Sequence, residues 1–528
     1  MVCRVPRWAA HCGRGRHHRE SHEGHTGPGQ RARQDGHARQ GAGIVRLCHE
    51  QRWSPAVFLA AVQQLLGTYP GSGARAGSAG AHHGRRYLSR VAPVSGADAV
   101  RRGLSYEEAL ASILDSARAR TTSPIDVPLT SALGRALAES VVSPVSLPPW
   151  DNAGMDGFAV RRDDVTGASP DAPCVLSVIG TSVAGSDPST LPRLQPGSAV
   201  RIMTGAPIPP GADVVIRVED TTEHLTPSHD GHVRIVNDRD AQGRGNVRPR
   251  GEDVTRDAIL FAPGTSIRAA HLGLLASVGK ATVRVYRAPR VTVLSSGDEL
   301  VPVESFDQVL AGQRIVSSSS YALPALLRSA GAEVTMAPLV PDSLDAMTAA
   351  MDAAVRDGCD LLVTTGGVSV GAHDYTRDAL MALGGEQQFW RARIRPGGPI
   401  GTGQVRGVPW IGLPGNPVST LVTGMLFAWP LLRQLGGHHT TCHVKLPVRM
   451  SESLETPASL TYFLRGRLVV AHDGQLEASS TGAQGSNLQQ SMAHADALIV
   501  VPETIARVES GMMLSALLLP DAPFLTTA

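Results

Sequence analysis

Residues 290 to 436 constrain the fold more than any other part of the chain. Strand-type runs Val291–Leu294, Glu333–Leu339 and Leu361–Thr364 alternate there with helical runs Tyr321–Ala330, Leu344–Val355 and Val418–Leu432. Neighbouring parallel strands need a crossover, and a helix is the usual one, so this alternation predicts a mostly parallel sheet with helices on its faces. Ligands of open α/β sheets sit beyond the carboxyl ends of the strands. The loops that follow these strands are therefore the first place to look for chemistry.

A chain of 528 residues, 42% of them hydrophobic, is too long for one core and predicts roughly two to four domains. Before the α/β stretch, Cys174–Ile179, Ala199–Met203, Val214–Val218 and His232–Val236 are short alternating runs between Gly, Pro and Asp turns. They predict a small β-domain. After residue 438, His443–Val448, Tyr462–Val470 and Leu498–Val501 predict a small β-barrel. Order begins near Ser105, where Ser105 and Glu108 have capping-box spacing and Ala109, Ile113 and Leu114 follow at helical spacing. A second short helix is expected from Ser131 to Val141.

The first hundred residues differ. They are rich in Arg, His and Gly and lack apolar periodicity, which predicts a disordered extension or a start assigned too far upstream. Metal binding by His17, His18, His22 and His25 is the less favoured reading, and Trp53–Leu66 is a candidate short helix. No apolar signal-peptide core is present. Val418–Leu432, the most apolar stretch, is short of the roughly 20 residues a membrane span needs.

The net charge of +2 and an aromatic content of 4% give no electrostatic or stacking reason to expect a nucleic-acid or anionic-membrane partner. The six cysteines (3, 12, 48, 174, 359 and 442) form no C-x-x-C pair, which fits neither a zinc site nor a disulfide framework. A reducing, cytoplasmic setting is expected. Lys280 and Lys445 are the only lysines, so Arg supplies nearly all the positive charge.

Six stretches carry chemistry. Leu147 to Ala159 places Asp151, Asn152 and Asp156 between two prolines and two glycines, which suits a functional loop or an Asx-rich turn between domains. Arg201 to Asp213 ends a strand at Thr204-Gly205 and enters a rigid Pro/Gly loop that an anion or simply the next strand could follow. Asn246 to Asp253 sets Arg248 and Arg250 two apart, on one face if extended, where guanidinium forks suit tetrahedral oxyanions. Asp253 would hold a cation or orient them; a solvated charge cluster is the alternative.

In Ser295 to Leu300, Asp298 and Glu299 follow a predicted parallel strand, with Ser296 and Gly297 before them. Adjacent carboxylates are suitable Mg²⁺ ligands, or helix caps. Leu361 to Tyr375 opens a buried strand into Gly366, Gly367 and Gly371, whose N–H groups can form a phosphate nest, with Ser369 and Asp374 alongside. It matches neither the Walker A nor the dinucleotide pattern. Gly412 to Ser419 joins a short strand to a helix whose N-terminus favours an anion.

Taken in order, these stretches resemble the molybdopterin molybdenumtransferase family, the bacterial MoeA proteins and the C-terminal domain of gephyrin. The family's D-N-S-A-M-D-G-Y-A appears as Asp151 to Ala159, R-I-M-T-G-A-P-x-P as Arg201 to Pro209, and R-G-E-D as Arg250 to Asp253. S-[ST]-G-D-E-L is Ser295 to Leu300, S-G-G-V-S-V-G is Thr365 to Gly371, and L-P-G-N-P-V-S is Leu413 to Ser419. Thr481 to Ser486 resembles T-G-x-Q-G-S of the C-terminal barrel.

The resemblance implies an elongated first domain (104–148 and 246–288), an inserted β-rich domain (149–245), an α/β molybdopterin-binding domain (289–437) and a β-barrel (438–528), after an extension over 1–103. It implies a homodimer with its active site between the α/β domain of one copy and the inserted domain of the other. The implied reaction is Mg²⁺-dependent transfer of molybdate to adenylylated molybdopterin, giving molybdenum cofactor and AMP. The catalytic positions implied are Asp156, Asp253, Glu299 and Asp374, with Asp298, Glu299 and Asp374 on the metal. Those implied for substrate are Thr204, Gly205, Arg248, Arg250, Ser296, Gly297, Gly366, Gly367, Ser369, Gly371, Arg395, Pro414, Gly415, Asn416 and Ser419. Candidate protein partners are a molybdopterin adenylyltransferase and the recipient molybdoenzymes.

The chain departs from the pattern at three places. K-P-G-K-P reads Arg395 to Pro399, so Gly398 lacks a lysine; D-[ST]-N reads Ser317 to Ser319; and Ala153-Gly154 replace S-A. Gly398 and Ser319 favour, as the alternative, a catalytically impaired paralogue that binds molybdopterin or acts as a scaffold. A molybdopterin adenylyltransferase, whose fold the α/β domain resembles, is opposed by the flanking domains.

Overall fold

The computed structural model describes residues 101–224, 231–243, 245–368, 375–520 and 526–527, and the account below concerns the unit Val94–Ala528. The readings made of the first hundred residues, and those of Ser369, Gly371 and Asp374, lie outside the described residues.

The α/β layer is a seven-stranded sheet in the order Arg101–Leu104, Glu386–Ala392, Gly401–Val405, Val408–Leu413, Leu361–Thr365, Arg290–Ser295, Glu333–Met336. The last four are mutually parallel. Leu361 and Val363 pack to one side with Leu323, Leu327 and Met425, while Leu362 packs to the other with Met347, Met351 and Leu380. Burial on both faces explains why this strand opens on the unbroken apolar run Leu361 to Val363 and shows no polar alternation.

The segment Val418–Leu432 is buried as expected, but it is not one regular helix. An α-helix at Pro417–Thr423 passes through a π turn at Gly424–Ala428 into an α-helix at Trp429–Leu435. Pro430 has no N–H to donate one turn back, and a π turn absorbs that break. Among the described residues no helix is long and apolar enough to cross a membrane.

Two expectations are corrected. Arg101–Leu104 pairs in parallel with Glu386–Ala392, and the helix Tyr106–Ser116 buries Tyr106, Ala109 and Ile113. Tyr106 meets the rings of Phe427 and Phe463 edge-on at 5.8 and 5.1 Å. The segment 101–116 thus joins the α/β layer and not the elongated first domain; its apolar stripe finds its cover some three hundred residues away in sequence. The capping box itself forms, with Glu108 N–H donating to Ser105 Oγ at 3.2 Å and Ser105 N–H to Glu108 Oε2 at 2.8 Å.

The helix expected over Ser131–Val141 is absent. A single 3₁₀ turn at Leu129–Ser131 gives way at Gly134, whose φ of +78° is left-handed. Beyond it Leu137 and Ala138 donate to the carbonyls of Thr265 and Arg284 at 3.0 Å each. Tertiary hydrogen bonding overrides the local preference.

That first lobe is a pair of short ribbons, Pro124–Pro128 with Thr282–Tyr286 and Val141–Val142 with Ile259–Phe261, closed by the helix Ala269–Ser277. The inserted domain is a five-stranded sheet ordered Val214–Arg217, Gly157–Val160, Ser198–Ile202, Cys174–Ser182, His232–Ile235. At the C-terminus five strands close on themselves: Thr461–Val470, Leu476–Ser480, Lys445–Met450, Met513–Leu518, Ala497–Val501 and back to the first. The expected architecture of an α/β domain, a β-rich insert and a C-terminal barrel is what the chain forms.

Candidate active site

The six stretches gather into two groups of three. The fourth, fifth and sixth meet at the carboxyl ends of Arg290–Ser295, Leu361–Thr365 and Val408–Leu413, where they line a cleft of about 450 Å³. Ser296 N–H donates to Thr365 O at 3.2 Å and Gly366 N–H to Leu413 O at 3.1 Å, which ties the three loops together. Gly366 (φ +85°) and Gly367 (φ +64°) turn the chain in the left-handed region. A Cβ on Gly366 would lie 2.9 Å from Ser296 O, so the close approach of the loops requires glycine there.

Ser296, Gly297, Glu299, Gly366, Gly367, Pro414, Gly415 and Asn416 all line this cleft. Asp298 does not. Its Oδ1 accepts from Asp342 N–H at 3.1 Å, so this carboxylate holds the strand-loop connection, and the metal role inferred from its adjacency to Glu299 does not follow from its position. Asp342 itself lines the cleft. Sequence reasoning missed it, and its place after the Glu333–Met336 strand is the signal that could have found it.

Ser317, Ser318 and Ser319 also line the wall. Ser317 Oγ is 2.7 Å from Ser320 Oγ, and Ser295 Oγ is 2.8 Å from Thr365 Oγ1. Hydroxyls thus stand where the related pattern has an acid and an amide. Among the described residues the cleft has the carboxylates of Glu299 and Asp342 and no lysine or arginine.

Two further candidates fall outside it. Ser419 is buried, at 3% exposure, and serves its own helix, its carbonyl accepting from Thr423 Oγ1 at 2.7 Å. Arg395 projects over the ring of Tyr462, 5.4 Å from its centre, at the junction with the barrel. Neither lines the cleft in a single chain.

The first three stretches form a second surface where the inserted domain meets the first domain. Gly154 N–H donates to Asn246 O at 2.7 Å, Gly205 N–H to Ala153 O at 2.8 Å, and Arg250 N–H to Asp151 Oδ1 at 2.7 Å. Asp156 Oδ1 accepts from Thr204 N–H at 2.6 Å. Backbone and hydroxyl bonds from Thr204 hold the Asp156 carboxyl below the usual carboxylate range. Gly157 follows because a Cβ there would sit 1.9 Å from Ile216 O.

Arg248, Arg250 and Asp253 are all exposed. Arg248 ends a two-residue strand paired with Asn152, while Arg250 begins a turn. The shared extended face expected of the two arginines is therefore interrupted at Pro249. Among the described residues none of the three forms an ion pair.

The seventh stretch, Thr481 to Ser486, proves to be a brace. Arg465, wholly buried, donates to the carbonyls of Ala483, Gln484 and Gly485 at 3.0 to 3.1 Å. Ser486 then receives Asn416 Nδ2 at 3.2 Å and, through its carbonyl, Val418 N–H at 3.1 Å. The barrel thereby clamps the loop that closes the cleft. Arg465 had no signal in the sequence beyond its place in an apolar strand.

Residues 104–279 match the MoeA N-terminal region (domain I and II), 292–434 the probable molybdopterin binding domain, and 447–519 the MoeA C-terminal region (domain IV). The chain is 36% identical over 401 residues to molybdopterin molybdenumtransferase 2 of Mycobacterium tuberculosis, covering 75% of this chain and 95% of that protein. The chain belongs to the molybdopterin molybdenumtransferase family.

Members of this family are transferases of molybdenum cofactor biosynthesis. The Haemophilus influenzae molybdopterin molybdenumtransferase is 35% identical over 414 residues, 75% of this chain and 96% of that protein. The crystal structure of the molybdopterin biosynthesis MoeA protein from Pyrococcus horikosii superposes with a TM-score of 0.63 at 29% identity, over 79% of this chain and 99% of that one. Membership in the molybdopterin molybdenumtransferases extends over both groups of stretches, the cleft and the inserted-domain surface alike.

Proposed function

We propose that this chain transfers molybdate to adenylylated molybdopterin and releases AMP, acting as a homodimer with Mg²⁺ in the cytoplasm. The observation that carries the reading is the charge of the cleft. A pocket built of glycine loops for phosphates, yet lined by Glu299 and Asp342 and by no cation among the described residues, takes an anionic substrate only if positive charge comes from elsewhere. Two sources suit it. One is Mg²⁺, which keeps several waters and needs one or two carboxylates beside the substrate's phosphates; Glu299 fits that donor set. The other is Arg248 and Arg250, exposed and without an ion pair among the described residues, at the edge of the inserted domain, when offered by a second copy.

Bound there, the metal supplies Lewis-acid polarisation of the phosphoanhydride. The protein's own part is to orient. The glycine turn at Gly366 and Gly367 lets backbone approach the phosphate oxygens closely, the Ser317–Ser319 hydroxyls line the wall, and Asn416 is held by Ser486. Guanidinium forks suit tetrahedral molybdate. No side-chain nucleophile is called for. The described cysteines are free thiols, as a reducing compartment requires.

A single-turnover assay with adenylylated molybdopterin, molybdate and Mg²⁺ tests this, following AMP release together with reconstitution of a molybdoenzyme. Both signals are expected, and both should vanish on Glu299→Gln. Tight substrate binding without AMP release would instead establish the non-catalytic paralogue, the reading favoured by the missing lysine at Gly398.

A further inference from the structure

A second cavity, of about 460 Å³, lies at the seam between the first lobe and the α/β layer. Its wall carries Arg135 and Arg287 from the lobe and Arg328, Arg433 and His438 from the α/β side, with Glu333 as its carboxylate. Two of these are already accounted for. Arg287 makes a two-pronged bond to Asp360, at 2.8 and 2.9 Å. His438 is neutral, since burial and the neighbouring Arg433 push its pKa down to about 3, and its Nδ1 lies 2.7 Å from Ser266 Oγ.

What remains is Arg135, Arg328 and Arg433 facing Glu333, and none of the three arginines has an ion pair among the described residues. Arg433 donates to Ser266 Oγ at 2.8 Å, His438 Nε2 at 3.2 Å and Thr440 O at 3.4 Å, and Arg328 to Val334 O at 3.3 Å, all of them neutral acceptors that leave the guanidinium charges uncompensated. The Nη1 atom of Arg135 is buried and has no acceptor among the described residues. Buried polar nitrogens are normally paired, and like charges gathered in one cavity repel. Three guanidinium groups, one with an orphaned N–H, present donors of the geometry and sign that a tetrahedral oxyanion accepts.

We propose that this cavity is a binding site for a free inorganic oxyanion of the phosphate class, held between Arg135 of the first lobe and Arg328 and Arg433 of the α/β layer. The ligand neutralises the cluster and adds to the bonds that already join the two lobes at this seam, among them the Arg287–Asp360 pair and the bond from Arg433 to Ser266. The site is separate from the cleft, and it stands whether or not the proposed transfer reaction does.

Calorimetric titration of the full chain with inorganic phosphate in chloride buffer tests the proposal, alongside Arg135→Gln and Arg328→Gln. The expected result is a class of phosphate site whose dissociation constant rises at least tenfold in each variant, while any phosphate binding at the cleft is unchanged. Phosphate should also raise the melting temperature of the parent protein more than that of the variants. Arg328 is exposed, so its variant tests the site even where Arg135→Gln does not fold. Phosphate binding of unchanged stoichiometry and affinity in Arg328→Gln and in folded Arg135→Gln would overturn the assignment.

Discussion

Asp156 Oδ1 accepts two hydrogen bonds from one residue, the backbone N–H of Thr204 at 2.6 Å and its hydroxyl at 2.8 Å. The first and second sequence stretches, 48 residues apart, are thus joined at a single carboxylate oxygen. Because the group is solvent-exposed, the arrangement orients it and keeps it ionised more than it stabilises the fold.

Replacing Thr204 by Val removes the hydroxyl bond and leaves the backbone bond. The titration midpoint of the Asp156 carboxyl, read by carbon-detected NMR, is expected to move upward toward the ordinary aspartate value. The melting temperature should stay within about 1 °C, because an exposed hydrogen bond contributes little net stability. A midpoint that does not move would show that the hydroxyl has no part in holding the charge.

The parallel sheet was legible because strands buried on both faces, such as Leu361–Thr365, show no polar alternation and carry no charge, and because glycine loops follow them directly. The cleft was legible for the same reason: Gly366 and Gly367 sit where backbone must approach backbone. What the sequence hid were partners supplied from afar. Nothing near Ser105 announces that its helix packs on Phe427, nothing near Asp298 announces the N–H of Asp342, and nothing near Arg465 announces the carbonyls it gathers. The Ser131–Val141 error has the same origin, since the bonds that win there come from residues 265 and 284.

Arg465 is expected to be the costliest single position in the barrel. Its guanidinium is wholly buried without a carboxylate, burial pulling its pKa down, and it is held by Ser491 Oγ and three carbonyls. Arg465→Met leaves those acceptors unsatisfied, for a loss of about 3 kcal/mol or more in chemical denaturation. Hydrogen exchange should also quicken at Val418, whose N–H depends on Ser486 O. A loss under about 1 kcal/mol would mean that water replaces the side chain without cost.

His438 makes stability depend on pH. Its pKa is lowered to about 3 in the folded chain, burial being the larger cause and Arg433 the second, against about 6.5 when unfolded. Below 6.5 the unfolded chain takes up a proton that the folded chain refuses. The contribution is therefore complete above about pH 6.5 and is lost as pH falls toward 3, at up to about 1.4 kcal/mol per pH unit. Urea melts of the parent chain should show that slope between pH 6 and 4.5, and His438→Gln should flatten it. Equal slopes would assign the acid sensitivity to other groups.

Gly398 is the position where one substitution separates an impaired enzyme from a complete one. It is half-buried, next to Pro399 of the cleft wall, and its φ is not left-handed. An added Cβ would meet the carbonyls of Ile394 and Ala392 at 3.3 and 3.4 Å, close but short of collision, so a side chain is tolerated with a shift of a few tenths of an ångström. A lysine there would place a cation beside a cleft whose described wall has carboxylates and no cation. Gly398→Lys is expected to leave the melting temperature within about 2 °C and to raise the rate of AMP release about tenfold, equivalent to ~1.4 kcal/mol of transition-state stabilisation. The gain should appear at low molybdate and shrink as molybdate saturates, since a charge that recruits the oxyanion acts first on its binding. An unchanged rate at every molybdate concentration would show that the charge the cleft needs is already met from the second copy or from the metal, and that the glycine is a neutral replacement.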